Sequence, residues 1–216
     1  MTISPGAAAP LPSSPSLYNS LGEVASAIRD CQGCSLCHGR KLAVPGEGPS
    51  RCDLMLIGEG PGFNENEQGR PFVGAAGKFL EQLLASIQLT RGDVYITNVV
   101  KCRPPNNRDP QPDEIAACAT YLERQLDLVQ PRVVVTLGRF SMARWFPGQS
   151  ISRIHGQAQQ FGQVWVFPCF HPAAALHQER YKALIEEDFL KLPAVMARAT
   201  PPPPPAEPPR QLGLFA

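Results

Sequence analysis

The chain has 216 residues, a formal net charge of +1 at pH 7, 24 prolines and seven cysteines. This length suits one domain with a single core, and the near-zero charge gives no overall field that would draw the chain to nucleic acid or a membrane, so any anion-binding surface must be local. No apolar run approaches the roughly 20 residues of a membrane helix, and the first residues lack the pattern of a secretion signal.

Helical and strand-like patterns alternate through the middle of the chain. In chain order they predict a helix at 20–30, a strand at 53–58, a helix at 75–89, a strand at 94–99, a helix from Pro112 to Val129, a strand at 132–137, a helix at 139–146, a strand at 164–167 and a last helix from about 178. This alternation predicts an α/β fold in which helices cover both faces of a parallel sheet.

The prolines concentrate at the two ends of the chain. They predict a disordered N-terminal arm at 1–18 and a proline-rich tail at 199–216, on either side of one domain at 19–198.

The loop after the first predicted strand, GEGPGFNENEQGRPFVG, has the most informative local pattern. Gly58, Gly60 and Gly62 allow a tight strand exit and let a ligand approach the backbone. Glu59 adds a carboxylate and Phe72 a flat apolar ring. Glycines alone indicate only a turn, but this combination favours a site for a small planar polar ligand.

Ligands of open parallel sheets bind beyond the carboxyl ends of the strands. In this chain those ends carry Glu59, Asn98, Gly138 and His171. Three of these four residues can contribute a side chain to chemistry, so we predict the functional site at this edge of the sheet.

The odd number of cysteines argues against a disulfide framework. Cys31 and Cys34 form a CxxC pair, and with Cys102 and Cys118 they would provide four thiolates for zinc or a [4Fe–4S] cluster. Spacing leaves two alternatives open. Cys118 lies on the apolar stripe of its predicted helix and is equally consistent with a core residue, and Cys37 could be the fourth ligand.

Four motifs, GEGPG, GRPFVG, TNVVKCRPPNNR and HPAAAL, occur in this order. Together they resemble the iron–sulfur family 4 of the uracil-DNA glycosylase superfamily, over about 20–195. The resemblance implies a three-layer α/β/α sandwich with a four-stranded parallel sheet. It also implies a [4Fe–4S] cluster whose ligands, by position, are Cys31, Cys34, Cys102 and Cys118.

The resemblance implies an enzyme of base excision repair that flips uracil out of DNA and hydrolyses its N-glycosidic bond, leaving an abasic site. Phe72 would stack on uracil, and Asn98 would bind its N3–H and O4. Glu59 or the backbone beside it, at Gly60, would fill the space around C5. His171 would donate a hydrogen bond to O2 as negative charge develops, and Glu59 would orient the water.

A basic loop and a late apolar residue are the candidates for contact with the DNA strand. Lys101, Arg103 and Arg108 are predicted to clamp phosphates, although a solvated basic loop would show the same pattern. Leu176 is predicted to fill the space of the everted base. His177 stands where the family commonly has an arginine, which weakens any phosphate contact there.

The end of the chain carries a separate signal. PPPPPAEPPR predicts a stiff spacer that reaches about 30 Å. The peptide that follows, with Gln211, Leu212, Leu214 and Phe215, resembles the QLxLF peptides that bind the bacterial β sliding clamp. This peptide suggests a bacterial source. We also expect the protein to be a monomer of the cytoplasm, associated with the nucleoid.

Two other functions stay open from the sequence. The chain could be a clamp-tethered iron–sulfur module that recognises uracil in DNA without cutting, or a zinc-stabilised domain that binds a phosphate or nucleotide. The presence of Glu59, Asn98 and His171 together favours catalysis.

Overall fold

A computed structural model describes residues 18–199 of the chain. The arm predicted at 1–18 and the tail predicted at 199–216, with its clamp-like peptide, therefore lie outside the described residues except for Tyr18 and Ala199. None of the helices in the described part is long and apolar enough to cross a membrane.

The described chain alternates helices and strands as the sequence predicts. The helices are α1 (Leu21–Asp30), α2 (Phe63–Gln68), α3 (Ala75–Ser86), α4 (Pro112–Val129), α5 (Arg139–Met142), α6 (Ile151–Ile154) and α7 (Glu179–Arg198). The strands are β1 (Leu54–Gly58), β2 (Val94–Asn98), β3 (Val133–Leu137), β4 (Gln159–Phe161) and β5 (Val164–Cys169). The helix predicted at 139–146 ends earlier, at Met142, and the short α2 and α6 were not predicted.

The sheet has five strands in the order β2-β1-β3-β5-β4. Its first four strands are parallel, and β4 is antiparallel to β5. The expected α/β/α sandwich is confirmed, but the count of four strands is wrong by this one edge strand. Phe161 pairs with Val164 across a turn in which Gly162 has φ +61°. Because Gln159 and Gln160 are exposed, β4 lacks the apolar pattern by which the other strands were predicted.

Both faces of the sheet are buried, because helices cover each of them. Successive residues of a strand point to opposite faces. In β1, Leu54 and Leu56 belong to the cluster formed with α3 and α7. Met55 and Ile57 belong to the cluster formed with α1 and α4. The strands are thus held at fixed depth, which fixes where their carboxyl ends lie.

Helix α3 packs unusually close to the loop that carries Phe72. A Cβ placed on Gly77, in the first turn of α3, would lie 1.8 Å from the carbonyl oxygen of Phe72. Only glycine permits this approach, so Gly77 determines the position of the Phe72 backbone.

We expect Gly77→Ala to lower the free energy of unfolding by about 2 kcal/mol, because the added methyl group must push the Phe72 loop away. Helix propensity alone predicts the opposite sign, a gain of up to about 1 kcal/mol. Thermal melting of Gly77→Ala and wild type would measure the difference in stability.

The matched control for this substitution is Gly22→Ala in the first turn of α1. A Cβ at Gly22 meets nothing closer than Ser20 Oγ at 3.7 Å. This variant should be neutral or slightly stabilising. Equal melting temperatures for the two variants would contradict the steric explanation.

Candidate active site

A cavity of about 300 Å³ lies at the carboxyl ends of β1, β2 and β5. Its volume is at the lower end of the range found for small-molecule sites, about 300–1,000 Å³. Six predicted site residues line it together: Glu59, Gly60, Phe72, Asn98, Arg108 and His171. The structure therefore brings the proposed catalytic and base-binding groups into one place.

Asn98 ends β2 and is only 1% exposed. Its side-chain oxygen Oδ1 is buried and has no hydrogen-bond partner in the protein. A buried acceptor without a donor costs about 1–3 kcal/mol, so this atom is free to accept a hydrogen bond from an N–H group that enters the cavity. Gly58 makes the arrangement possible, because a Cβ there would lie 2.3 Å from Asn98 Oδ1 and 2.7 Å from Phe72 Cζ.

Phe72 contributes an aromatic wall to the cavity. Its ring stacks on the imidazole of His171, with centroids 5.6 Å apart and planes inclined by 23°. Phe72 is also 5% exposed and part of the core on the α3 side. Its backbone has φ +51°, a left-handed conformation that bulky residues seldom adopt. Surrounding contacts must therefore hold this loop in place.

Arg91 supplies those contacts, and the sequence analysis did not identify it. Its Nη1 donates to the Phe72 carbonyl at 2.9 Å and its Nη2 to the Pro71 carbonyl at 2.7 Å. The guanidinium is also paired with Glu47, which accepts a further bond from Arg70 Nε at 2.8 Å. Burial would raise the pKa of Glu47, but the hydrogen bonds from Arg70 and Arg91 outweigh it and lower that pKa.

Glu65 joins the two motifs of the loop. Its Oε2 accepts the N–H of Gly62 at 3.1 Å, and its Oε1 accepts those of Val73 and Gly74 at 2.8 and 3.0 Å. These bonds cap α2 and tie its start to the residues after Phe72. Glu65 and Arg91 thus restrain the Phe72 segment from both sides.

His171 is held as a neutral hydrogen-bond donor. Its Nδ1 accepts the N–H of Ala173 at 3.1 Å, so the ring proton of the neutral form is on Nε2. Burial lowers the pKa of His171 to about 4, and the smaller influence of Glu65 opposes that shift. At neutral pH the site therefore presents an uncharged imidazole with Nε2–H available.

Glu59 is fixed at the start of α5. Its Oε1 accepts the N–H of Phe140 at 3.2 Å. Burial raises the pKa of Glu59, although the backbone N–H groups of Phe140 and Arg139 work against it. Gly138 has φ +102°, and a Cβ there would lie 2.3 Å from Glu59 Oε1. Gly138, noted in the sequence as a strand-end residue without a reactive side chain, thus makes room for the carboxylate.

Comparisons with known proteins agree with this geometry. A family model described as the uracil DNA glycosylase superfamily matches residues 45–191. The chain is 46% identical over 184 residues to the type-4 uracil-DNA glycosylase of Sulfurisphaera tokodaii, covering 81% of this chain and 84% of that protein. It is 40% identical over 173 residues to the enzyme of the same name from Thermotoga maritima, covering 78% of this chain and 90% of that protein.

The chain belongs to the type-4 family of the uracil-DNA glycosylase superfamily. The family expected from the four sequence motifs is therefore confirmed.

One predicted DNA contact of this type-4 family member is wrong. Lys101 is 1% exposed, and its Nζ donates to Thr97 Oγ1, the Asn98 carbonyl and Gln125 Oε1 at 2.8, 2.6 and 2.7 Å. Burial lowers the pKa of Lys101 to about 7, with the nearby Cys118 opposing the shift. Lys101 cannot reach a phosphate from this position; it supports the backbone of Asn98 instead.

The other predicted DNA contacts lie near the surface, and their role remains a prediction. Arg108 donates to both carboxylate oxygens of the buried Glu114, at 2.7 and 2.9 Å, and chiefly for this reason the pKa of Glu114 falls to about 2. Arg103 Nε donates to Asn107 Oδ1 at 2.7 Å. Leu176 is 49% exposed.

The four cysteines of the predicted cluster come from three segments. Cys31 and Cys34 follow α1, Cys102 lies in the loop after β2, and Cys118 lies on α4. Arg40 Nη1 donates to Cys102 Sγ at 3.3 Å, and the N–H of Gly33 donates to Cys31 Sγ at 3.3 Å. Burial raises the pKa of Cys118 to about 11, and the neighbouring Cys34 and Cys102 add to the shift. Within residues 18–199 no three His, Cys, Asp or Glu side chains converge as a site for a single metal ion.

We expect nuclear magnetic resonance of the imidazole nitrogens to show His171 neutral, with the proton on Nε2, from pH 8 down to about 5. Burial disfavours the charged form, so protonation should begin only as the pH approaches about 4. The His171→Gln variant assigns the signal. A midpoint near the usual value of about 6.5 would contradict the burial argument.

Proposed function

We propose that this protein excises uracil from DNA by hydrolysing the N-glycosidic bond, leaving free uracil and an abasic site. The observation that carries the proposal is the buried, unpartnered Oδ1 of Asn98 in a cavity shared with the Phe72 ring and the His171 imidazole. The names of the type-4 relatives support the same activity.

Asn98 would select uracil by the direction of its hydrogen bonds. Uracil presents a donor at N3 and an acceptor at O4, which suit the Oδ1 and Nδ2 of Asn98. Cytosine presents an acceptor at N3, so Oδ1 would face a second acceptor and remain unpaired. Rejection of this kind is steep, because the protein atom is already desolvated. Glu59 and the backbone at Gly60 would close the space that the methyl group of thymine needs.

His171 would stabilise the departing base. As the bond between C1′ and N1 breaks, its electron pair passes to uracil and negative charge develops on O2, while the sugar gains positive charge. The neutral Nε2–H of His171 would donate to O2, and such a donor in a dry site commonly contributes about 3–4 kcal/mol. A water held by Glu59 would then form the new bond to C1′, and the proton that it loses would neutralise the uracil anion, through Glu59 or solvent.

An alkali-cleavage assay on a labelled oligonucleotide with one uracil tests this function. Wild type should release uracil, and His171→Ala should lower the rate about 100- to 1,000-fold with binding of the oligonucleotide retained. His177→Ala is the control, since His177 is exposed and does not line the cavity. An intact strand at high concentrations of wild type, with binding retained, would support a uracil-binding module instead.

We also propose that Cys31, Cys34, Cys102 and Cys118 hold a [4Fe–4S] cluster. The four thiols lie close enough to influence one another's pKa. An arginine and a backbone N–H donate hydrogen bonds to two of the sulfurs. This arrangement suits a [4Fe–4S] cluster, whose thiolate ligands stand further apart than the ligands of a single metal ion. The cluster would supply iron–thiolate bonds that link the end of α1, the loop after β2 and α4. Its role would be to hold these segments together.

Protein purified without oxygen should be brown and contain iron and sulfide in equal amounts, and Cys118→Ser should lose colour and melt at a lower temperature. Cys37→Ser is the matched control, because Cys37 lies beside the same group but is not among the proposed ligands. Colourless protein that contains zinc would contradict the cluster. If Cys37→Ser lost the colour and Cys118→Ser kept it, Cys37 would be the fourth ligand and Cys118 a core residue.

Other proposed contacts rest on the sequence. Arg103, Arg108 and Leu176 would meet the DNA strand around the cavity. The peptide with Gln211, Leu212, Leu214 and Phe215, which lies outside the described residues, would bind the β sliding clamp. These contacts would place the protein at the nucleoid of a bacterial cell.

A further inference from the structure

Phe63 is an exposed aromatic residue that neither the core nor the cavity accounts for. It begins α2, directly after Gly62, and is 58% exposed. Among the large hydrophobic side chains of residues 18–199, only Leu42, Leu176 and Leu190 are comparably exposed. A single exposed hydrophobic residue needs no explanation by itself. Phe63 is informative because of its place beside the cavity and its contact with an arginine.

Arg103 completes a flat, charged surface with Phe63. Its guanidinium carbon lies 5.3 Å from the centroid of the Phe63 ring, in the geometry of a cation–π contact. Arg103 Nε is also held by Asn107 Oδ1 at 2.7 Å. We call this group of Phe63, Arg103 and Asn107 the aromatic shelf.

The aromatic shelf adjoins the cavity on two sides. Gly62, the residue before Phe63, lines the cavity, and so do Pro104 and Asn107 of the loop that carries Arg103. A strand whose uracil occupies the cavity can pass a neighbouring nucleotide across this part of the rim. The chemistry of the shelf suits that nucleotide, because an aromatic ring stacks on any base and a guanidinium attracts the phosphate.

We propose that Phe63 stacks on an unpaired base next to the everted uracil, with Arg103 holding the adjoining phosphate. The inference rests on the proposed function for its choice of ligand. Because a base in a duplex is already paired and stacked, the shelf favours uracil in single-stranded DNA. It is sequence-tolerant, since every base offers a flat face.

A binding experiment tests stacking without turnover. The probe is a fluorescein-labelled single-stranded oligonucleotide with one 2′-fluoro-2′-deoxyuridine, whose fluorine disfavours positive charge on the sugar and so prevents excision. Two further oligonucleotides carry a tetrahydrofuran spacer, which lacks a base, on the 5′ or the 3′ side of the uridine. Fluorescence anisotropy gives Kd for each.

Phe63→Leu keeps an apolar side chain but removes the flat ring. It should raise the Kd of the fluorinated probe without a spacer at least about fivefold. Phe63→Trp should keep the affinity. One of the two spacers removes the base that stacks on Phe63. For that oligonucleotide the affinity of wild type should fall by the same factor, and the affinity of Phe63→Leu should equal its affinity for the probe without a spacer. A duplex probe should show a smaller difference between wild type and Phe63→Leu.

Leu190→Ala is the matched control for loss of exposed apolar surface. Leu190 is 61% exposed on α7 and does not line the cavity, so this variant should bind as wild type does. Melting temperatures of all variants should match, because Phe63 is not part of the core.

Two results would overturn the inference. One is equal affinity of wild type and Phe63→Leu for the fluorinated probe without a spacer. The other is an undiminished effect of Phe63→Leu on both spacer oligonucleotides, which would indicate an apolar contact with the backbone rather than stacking. Failure of wild type to excise uracil from ordinary DNA would count against the proposed function instead. The comparison of Kd values would still test stacking, because it does not require excision.

Discussion

The hydrogen bonds that continue past the paired ends of β1 and β2 position the whole site. Val99 N–H donates to the Gly58 carbonyl at 3.0 Å, and Val100 N–H donates to the Glu59 carbonyl at 3.1 Å. These bonds keep the exits of both strands side by side, so that Glu59 and Asn98 open into one cavity. Gly58 must lack a side chain at this point, because the space beside it is taken by Asn98 and Phe72. Every other feature of the cavity is arranged around this contact.

The two side chains proposed to bind the base, Asn98 and His171, are neutral at pH 7. The pKa of His171 is far below neutrality, and Asn98 carries no charge, so an anionic leaving group would meet oriented dipoles rather than a counter-ion. Such dipoles cost nothing to reorganise during the reaction. The carboxylate of Glu59 is held by the backbone of α5, and its proposed role is to orient the water.

Long-range support explains why this geometry persists in an open cavity. Arg91 and Glu65 hold the left-handed backbone at Phe72 through carbonyl and N–H contacts, and Lys101 holds the carbonyl of Asn98 from below. Buried charges are costly unless they are paired or hydrogen-bonded, and here each of them is. The supporting residues therefore fix the backbone of the groups proposed to bind the base.

The sequence by itself determined the α/β class, four of the five strands and the main side chains that meet in the cavity, Glu59, Phe72, Asn98 and His171. It could do so because parallel strands place their carboxyl ends at one edge, so motifs that follow strands must converge there. Only the tertiary structure decided the roles of Lys101 and Arg91. Lys101 begins the polar loop KCRPPNNRDPQP, a pattern typical of solvated cations. The turn after β2 directs it inward, to oxygen atoms of residues as distant in sequence as Gln125, and no local pattern encodes a contact over such a separation.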